Sequence, residues 1–252
     1  MLTQPTAERL REMRLLGMAE GFLAQLQQPD LQGASFEDRF GLLVDQEWVY
    51  RQNRRLARLL KEAKLRLPAC LEDLDYQHPR GLDRAVMRSL ATCQWVTAHQ
   101  NVLVSGPTGV GKTFIACALG NAACRHGYRT RYYRVPRLTS DLAIARGDGS
   151  YQRLLSALAR TQVLVLDDWG LAPLSAQDGR DLLEVLDDRT QFQSTIVASQ
   201  LPIDHWHASV ADPSVADAIL DRIIHSAHKL QLKGESMRKT TKSIRQDERP
   251  EP

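Results

Sequence analysis

The stretch from Asn101 to Gly120, NVLVSGPTGVGKTFIACALG, constrains the fold of this chain more than any other. An apolar run leads into a loop that fits G-x-x-x-x-G-K-[ST], and residues typical of a helix follow. The glycines let successive backbone N–H groups point at one phosphate, and the helix N-terminus faces the same anion. Lys112 can reach the β and γ oxygens, and the Thr113 hydroxyl can ligate Mg²⁺. We therefore predict an ATP site made of Gly106, Pro107, Thr108, Gly109, Val110, Gly111, Lys112, Thr113 and Phe114, in which Lys112 also acts on the transferred phosphoryl group.

A second apolar run, VLVL, ends in Asp167 and Asp168. In an open α/β sheet, ligands bind at the carboxyl ends of the strands, which is where these carboxylates are expected. We predict that Asp167 orients the Mg²⁺ shell opposite Thr113 and that Asp168 polarises the attacking water. An apolar run followed by two acids is a weak signal alone, but its position after a phosphate loop makes it strong.

A further predicted strand, STIVASQLP, ends in Ser199 and Gln200. A polar side chain at that end of the sheet would lie between the phosphate loop and the acidic pair, within reach of the γ-phosphate or of water. The alternative is that a polar residue simply ends the strand.

Strands that alternate with helices predict an α/β fold, with a parallel sheet that carries helices on both faces. RTRYYRV reads as the second strand, and a helix follows from about Pro136. Residues 6 to 67 look helical throughout, Pro68 closes the last of these helices, and DYQHPRGLD reads as a linker. We divide the chain into a small all-helical N-terminal domain (1–68) for DNA or partner binding and self-association, a nucleotide-binding core (69–240) and a disordered polar tail (241–252).

One predicted N-terminal helix, RQNRRLARLLKEAKLRL, has an apolar face and a basic face. Residues 51 to 66 contain seven Lys or Arg and one acid, Glu62, so we expect the basic side chains to lack i,i+4 partners. Two interpretations stay open: a solvated helix face, or a surface for the phosphate backbone of DNA. No aromatic residues interleave with the basic ones, which favours duplex over single-stranded DNA. The basic face consists of Arg51, Arg54, Arg58 and Lys61.

Composition excludes several classes of protein. The four cysteines show no C-x-x-C pair and no metal-ligand spacing, which favours a reducing cytoplasm. The N-terminus is charged and lacks the apolar region of a signal peptide, and no apolar run is long enough to span a membrane. The net charge of +3 is weak, so the placement of the basic residues matters more than their number.

The segments GPTGVGKT, VLVLDDWG, STIVASQLP, DRI and GESMRK follow one another in an order that resembles the AAA+ ATPases of the IstB family. These proteins are helpers of insertion-sequence transposition and are related to DnaC-type helicase loaders. The resemblance covers essentially the whole chain. Its N-terminal part, LREMRLLGMAEGF and EWVYRQNRRLARLLKEAKLRLP, is similar to IstB rather than to a helicase loader.

The resemblance implies a DNA-bound ATPase that self-assembles, with ATP at the interfaces of a homo-oligomer, and presents target DNA to a partner transposase. The DNA is duplex and read without sequence preference. The resemblance further implies that Gln200, or else Ser199, is sensor I, that Arg222 is an arginine finger acting in trans, and that Arg238 is sensor II. It adds a second candidate DNA surface after the second strand, with Arg137, Arg146 and Arg153.

Two departures from the family pattern stand out. Many AAA+ proteins have Glu where this chain has Asp168, one methylene shorter, which implies a water bridge or slower hydrolysis. Only 18 residues follow Gly234, too few for a lid of three helices, so neighbouring subunits would take over the lid or it is dispensed with. The competing classes are a helicase loader, a small-molecule P-loop kinase and a nucleotide-binding module without hydrolysis.

Overall fold

The computed structural model describes residues 3–28, 31 and 33–237. The chain forms two compact units, Met1–Arg58 and Leu59–Pro252. The division of the chain at residue 68 stays a prediction, and the predicted tail, 241–252, lies outside the described residues.

The first unit consists of helices α1 (Thr3–Glu12) and α2 (Leu16–Gln25) and most of α3 (Phe36–Ala63). Ser35 caps α3, because its hydroxyl accepts the Asp38 N–H at 3.1 Å and donates to the Asp38 carboxylate at 2.8 Å. A Cβ at Gly17 would come within 2.8 Å of the Gln46 carbonyl oxygen, so glycine allows α2 to lie directly against α3. α3 is one helix of 28 residues that includes the whole predicted basic face.

The second unit contains the predicted parallel sheet, and this prediction is confirmed. Its strands lie in the order β2-β3-β4-β1-β5, and all neighbours are parallel. The strands are β1 (Asn101–Ser105), β2 (Thr130–Arg134), β3 (Val163–Trp169), β4 (Ser194–Ser199) and β5 (Ala227–Gln231). β3 does not end at Leu166, as the apolar run suggested. It continues through both acids to Trp169, and its register with β4 shifts between Leu166 and Trp169.

Helices cover both faces of the sheet, since successive strand residues enter two different apolar clusters. Leu103, for example, packs with the cluster that includes Leu138 and Leu182, whereas Val102 packs with the cluster that includes Ile115. The helices of this unit are α4 (Arg84–Ala91), α5 (Gln94–Thr97), α6 (Lys112–Arg125), α7 (Val135–Asp148), α8 (Tyr151–Ala159), α9 (Ala176–Asp187) and α10 (Pro213–Ile224). No helix in the described part of the chain is long and apolar enough to cross a membrane.

Two buried arginines fasten loops to this core. Arg189 is 1% exposed, and its guanidinium donates to three main-chain carbonyls, each at 2.6 Å, and to one hydroxyl. Burial lowers the pKa of Arg189 to about 9. Arg80 is 2% exposed and donates to the carbonyls of Asp75 at 2.7 Å and Val110 at 2.9 Å. The segment from Asp75 to Asp83 is mostly exposed, but Arg80 bonds it to the phosphate loop and it lies within the second unit, so the prediction that it links two domains is wrong.

Candidate functional site

The phosphate loop connects the end of β1 to the start of α6 and has the backbone its sequence predicts. Gly106, Gly109 and Gly111 have φ values of 149°, 90° and 92°, which side-chain-bearing residues rarely adopt. A Cβ at Gly106 would approach the Leu232 carbonyl oxygen to 2.5 Å, so this glycine also allows a close backbone contact. α6 begins at Lys112, and its first N–H groups have no partner within the helix. The loop thus offers backbone donors to an anion.

A cavity of about 490 Å³, which we call the loop cavity, lies against this loop. It brings together side chains from segments that are far apart in sequence. The Lys112 ammonium donates to the Pro107 carbonyl at 2.7 Å, so this side chain lies across the loop. The predicted site residues that line the cavity are Thr108, Gly109, Gly111, Lys112, Thr113, Phe114, Asp167, Asp168 and Gln200.

Thr113 and Asp167 meet as the sequence predicts. The Thr113 hydroxyl donates to Asp167 Oδ2 at 2.8 Å, and the Tyr132 hydroxyl donates to the same oxygen at 2.7 Å. Burial and the bond to Asp167 raise the pKa of Tyr132 well above its usual value. A hydroxyl and a carboxylate are hard oxygen ligands, and Mg²⁺ needs only one or two of these when nucleotide oxygens and water complete its shell. The two side chains therefore fit a magnesium site.

Asp168 lies beside Asp167 in an unusual backbone conformation, with φ of 59°. Its Oδ2 accepts a hydrogen bond from Arg134 Nε at 2.5 Å, and Arg66 Nη1 lies 3.6 Å from the same oxygen. Arg134 is the last residue of β2 and pairs in register with Asp167. Asp168 is thus held by a guanidinium in this structure, within the cavity where a nucleotide would bind.

The two sensor I candidates have different surroundings. Gln200 lines the loop cavity, and its Oε1 accepts a hydrogen bond from the Thr108 hydroxyl at 3.0 Å. Ser199 is fully buried; its hydroxyl donates to the Trp169 carbonyl at 2.8 Å and accepts the Leu201 N–H at 3.0 Å. The bond to Trp169 joins the ends of β3 and β4, and the bond from Leu201 is local to the end of β4. Because the Ser199 hydroxyl is buried and bonded in this way, Gln200 is the candidate available to a ligand.

Arg222 does not line the loop cavity. Its Nε donates to Asp187 at 2.7 Å, and its main-chain oxygen accepts from the Asn101 side chain at 3.1 Å. Asn101 begins β1, whereas the phosphate loop leaves the other end of β1 after Ser105. A strand of this length spans about 13 Å. Arg222 therefore lies beside the N-terminal end of β1, whereas its own phosphate loop leaves the C-terminal end. There it lines a second cavity of about 400 Å³. Arg238, the sensor II candidate, lies outside the described residues.

The basic face of α3 is exposed. We expected its side chains to lack i,i+4 partners, but one of them has such a partner. Arg51 Nε lies 2.6 Å from Glu47 Oε1. Glu47 is four residues earlier in the chain and precedes the segment 51–66, so the prediction is wrong for Arg51. The Arg54 guanidinium lies 5.8 Å from the centre of the Tyr50 ring. Arg54, Arg58 and Lys61 are exposed.

The second group of basic residues is less uniform than its sequence suggests. Arg137 lies 3.1 Å from Asp141 on the exposed side of α7. Arg146 forms a two-pronged pair with Asp181, a carboxylate that is 2% exposed. Arg146 therefore joins α7 to α9, and its guanidinium is already bonded. Arg153 is exposed and lines a small surface cavity beside α7.

Sequence reasoning missed Arg66, Arg80, Tyr132 and Arg134, all of which line the loop cavity or contact its residues. None belongs to a recognisable motif. Strand pairing was the one available signal, because it places the end of β2 beside the acids of β3. Nothing in the sequence around Arg66 or Arg80 signals their position.

Comparison with known proteins adds independent evidence. Residues 8–245 match the family described as IstB-like ATP binding protein. The chain is 48% identical over 239 residues to a Sinorhizobium fredii protein named as the insertion sequence ATP-binding protein y4pL, a match that covers 95% of this chain and 98% of that protein. It is 51% identical over 214 residues to the protein named as the ATP-binding protein of insertion sequence IS1162 from Pseudomonas fluorescens, covering 84% and 93%.

Two solved structures share the fold. AMPPCP-bound DnaA from Aquifex aeolicus superposes with a TM-score of 0.56 at 17% identity, over 73% of this chain and 56% of that one. The DnaC helicase loader superposes with a TM-score of 0.55 at 22% identity, over 68% of this chain and all of that one. At these identities the likeness concerns the fold alone, and it confirms the predicted AAA+ architecture.

Proposed function

Because the chain belongs to the family of IstB-like ATP binding proteins, we propose that it is an ATPase that assembles on duplex DNA and delivers target DNA to the transposase of its insertion sequence. The observation that carries the proposal is the separation of two groups needed for hydrolysis. The phosphate loop lies at one edge of the sheet and Arg222 at the other. A complete site then requires two copies of the chain.

Within one copy, the loop and Lys112 bind the phosphates of ATP, and Thr113 and Asp167 hold Mg²⁺. The ion, when bound, neutralises charge on the β and γ phosphates. Asp168 accepts the proton of the attacking water, and Gln200 orients that water or the γ-phosphate. Tyr132 keeps the Asp167 carboxylate in place through its hydrogen bond. Arg134 donates to Oδ2 of Asp168, so water meets the carboxylate at its other oxygen or after this pair opens.

Arg222 of one copy completes the site of the next by stabilising charge on the transferred phosphoryl group. An arginine supplied in this way raises the rate by roughly 10³- to 10⁵-fold. ATP therefore joins adjacent copies, and each hydrolysis event weakens one interface. The rate of hydrolysis therefore sets how long the copies stay assembled, and the reaction serves no metabolic conversion.

DNA is the surface on which the copies align. The exposed residues Arg54, Arg58 and Lys61 of α3 supply cations to the phosphate backbone, and Arg137 and Arg153 form a second group. Arg146 contributes less, because it already pairs with a buried carboxylate. Contacts of this kind are sequence-tolerant and weaken steeply with salt.

The test mixes two inactive variants, Lys112→Ala and Arg222→Ala, with duplex DNA, Mg²⁺ and ATP, and measures phosphate release. An interface between an intact loop and an intact arginine forms in roughly a quarter of random head-to-tail contacts, so part of the activity returns. The control replaces Arg222→Ala with the double variant, which offers no intact loop and restores nothing. Full activity of Arg222→Ala alone, or no recovery at any ratio, would refute hydrolysis in trans.

The partner is tested separately. The tagged chain, loaded with ATP and DNA, is incubated with the transposase of its own insertion sequence or with the replicative helicase of the same cell. We expect the transposase to be retained in an ATP-dependent manner. Retention of the helicase instead would indicate a helicase loader, the activity named for one of the solved structures of the same fold.

A further inference from the structure

Arg66 is a cation of the loop cavity that no nucleotide-binding motif includes. It follows the end of α3 at Ala63 by three residues, and its side chain lines the cavity together with Lys112, Asp167 and Asp168. The last turn of α3, from Leu59, belongs to the same unit as the cavity. Arg66 thus connects the end of the basic helix to the place where the phosphates of a nucleotide would bind.

The guanidinium of Arg66 is attracted to the acidic pair without being bonded tightly to it. Its Nη1 lies 3.6 Å from Asp168 and 4.0 Å from Asp167, both longer than a hydrogen bond, which has a length of about 2.7 to 3.2 Å. A hydrogen bond with Tyr132 contributes most to raising the pKa of Arg66. The side chain is 46% exposed. Arg66 is therefore only loosely paired with the carboxylates, and its exposed side chain has room to turn toward an anion.

Arg134 makes a useful contrast, because it lies 2.5 Å from the same oxygen of Asp168 and is already engaged. Four cations line the cavity, Arg66, Arg80, Lys112 and Arg134, together with three carboxylates, Asp73, Asp167 and Asp168. A cation bound between Thr113 and Asp167 would weaken the hold of the carboxylates on Arg66. A planar guanidinium with several N–H donors is well suited to a terminal phosphate.

We propose that Arg66 contacts the γ-phosphate from within its own chain and so lets the end of α3 distinguish ATP from ADP. This inference rests on the proposed binding of ATP at the phosphate loop. ADP ends one phosphate earlier and leaves Arg66 with the acidic pair. The position of Arg66, and with it the end of the helix that carries the basic face, then differs between the ATP-bound and ADP-bound chain. This difference does not require an arginine from a neighbouring copy.

The first experiment measures the affinity of the chain for ADP and for a non-hydrolysable ATP analogue, both with Mg²⁺, by calorimetry. We expect Arg66→Ala to weaken binding of the analogue by about 10- to 100-fold and to leave ADP affinity within about twofold, because only the analogue gains a charged hydrogen bond from this residue. The affinity of Arg66→Lys for the analogue should lie between those of the wild type and Arg66→Ala. Arg88→Ala, an exposed arginine on α4 that does not line the loop cavity, is the matched control and should change neither affinity.

The second experiment follows hydrogen exchange of the backbone from residue 60 to residue 70. Exchange should be slower with the ATP analogue than with ADP in the wild type, and equal with both in Arg66→Ala. Equal weakening of both nucleotides would assign Arg66 a purely structural role, and unchanged affinities would remove it from the site; either result overturns the inference. A wild-type chain that binds neither nucleotide would instead overturn the proposed function and, with it, this inference.

Discussion

Replacing Asp168 by Asn should separate ATP binding from ATP hydrolysis. The change removes the charge that accepts a proton from water but keeps the size of the side chain. It also suits the backbone, because φ at this position is 59° and Asn is among the residues that adopt such values most readily. The loss of the pair with Arg134 costs little, since that arginine is 47% exposed and pairs of this kind contribute about 0 to 1 kcal/mol.

The expected loss is in the rate of hydrolysis. A general base contributes about 10²- to 10⁴-fold, so kcat for phosphate release with DNA and Mg²⁺ should fall by that factor. The Kd for ATP should stay similar or decrease, because one negative charge near the γ-phosphate is gone. Asp168→Gly is the matched control, since glycine also accepts this φ and lacks the carboxylate. Asp168→Ala should be equally inactive and less stable by about 1 to 2 kcal/mol, because alanine is strained in the left-handed region.

The two measurements give a clear refutation. Hydrolysis by Asp168→Asn at the wild-type rate would show that Asp168 does not act on water. Loss of ATP binding with a folded protein would show that its charge serves binding instead, through its pair with Arg134.

Three further predictions concern other parts of the chain. Lys112→Ala should abolish nucleotide binding, measured with a fluorescent ATP analogue, because it removes the one motif cation that reaches the phosphates; unchanged binding would contradict the assignment. Changing Arg54 and Arg58 to Glu should weaken binding to all duplex sequences alike and reduce the slope of log K against log salt concentration by about 2. Unchanged affinity and slope would show that this face of α3 is only solvated. Arg189→Ala should lower the free energy of unfolding in urea by about 3 to 5 kcal/mol, because buried carbonyls lose their donor, while Arg180→Ala on the exposed side of α9 should change it by less than about 0.5 kcal/mol.

The sequence predicted those parts of the site whose geometry is local. The phosphate loop is one short segment in which spacing and residue type fix the backbone, and its glycines have the expected positive φ values. The contact between Thr113 and Asp167 was predictable because carboxyl ends of parallel strands meet at one edge of a sheet. Both predictions need only a motif and the topology.

Contacts that depend on packing could not be predicted in this way. Arg80 lies in a segment that reads as a linker, yet its guanidinium is buried and supports the phosphate loop. Arg146 reads as one of several basic surface residues, yet a buried Asp181 from another helix binds it. In each case the partner lies far away in the sequence, and a long charged side chain carries no periodic signal that reveals its direction. The bulge that extends β3 past Leu166 is likewise a property of the β3–β4 pair, which neither strand shows alone.

The placement of Arg222 and the phosphate loop at opposite edges of the sheet has a consequence for symmetry. If the arginine of one copy serves the loop of the next in a head-to-tail row, each contact joins two different surfaces of the chain. Every finite row of copies then keeps one loop without an arginine and one arginine without a loop, unless the row closes into a ring. An open row would have a direction along the DNA and an end copy whose ATP is hydrolysed last.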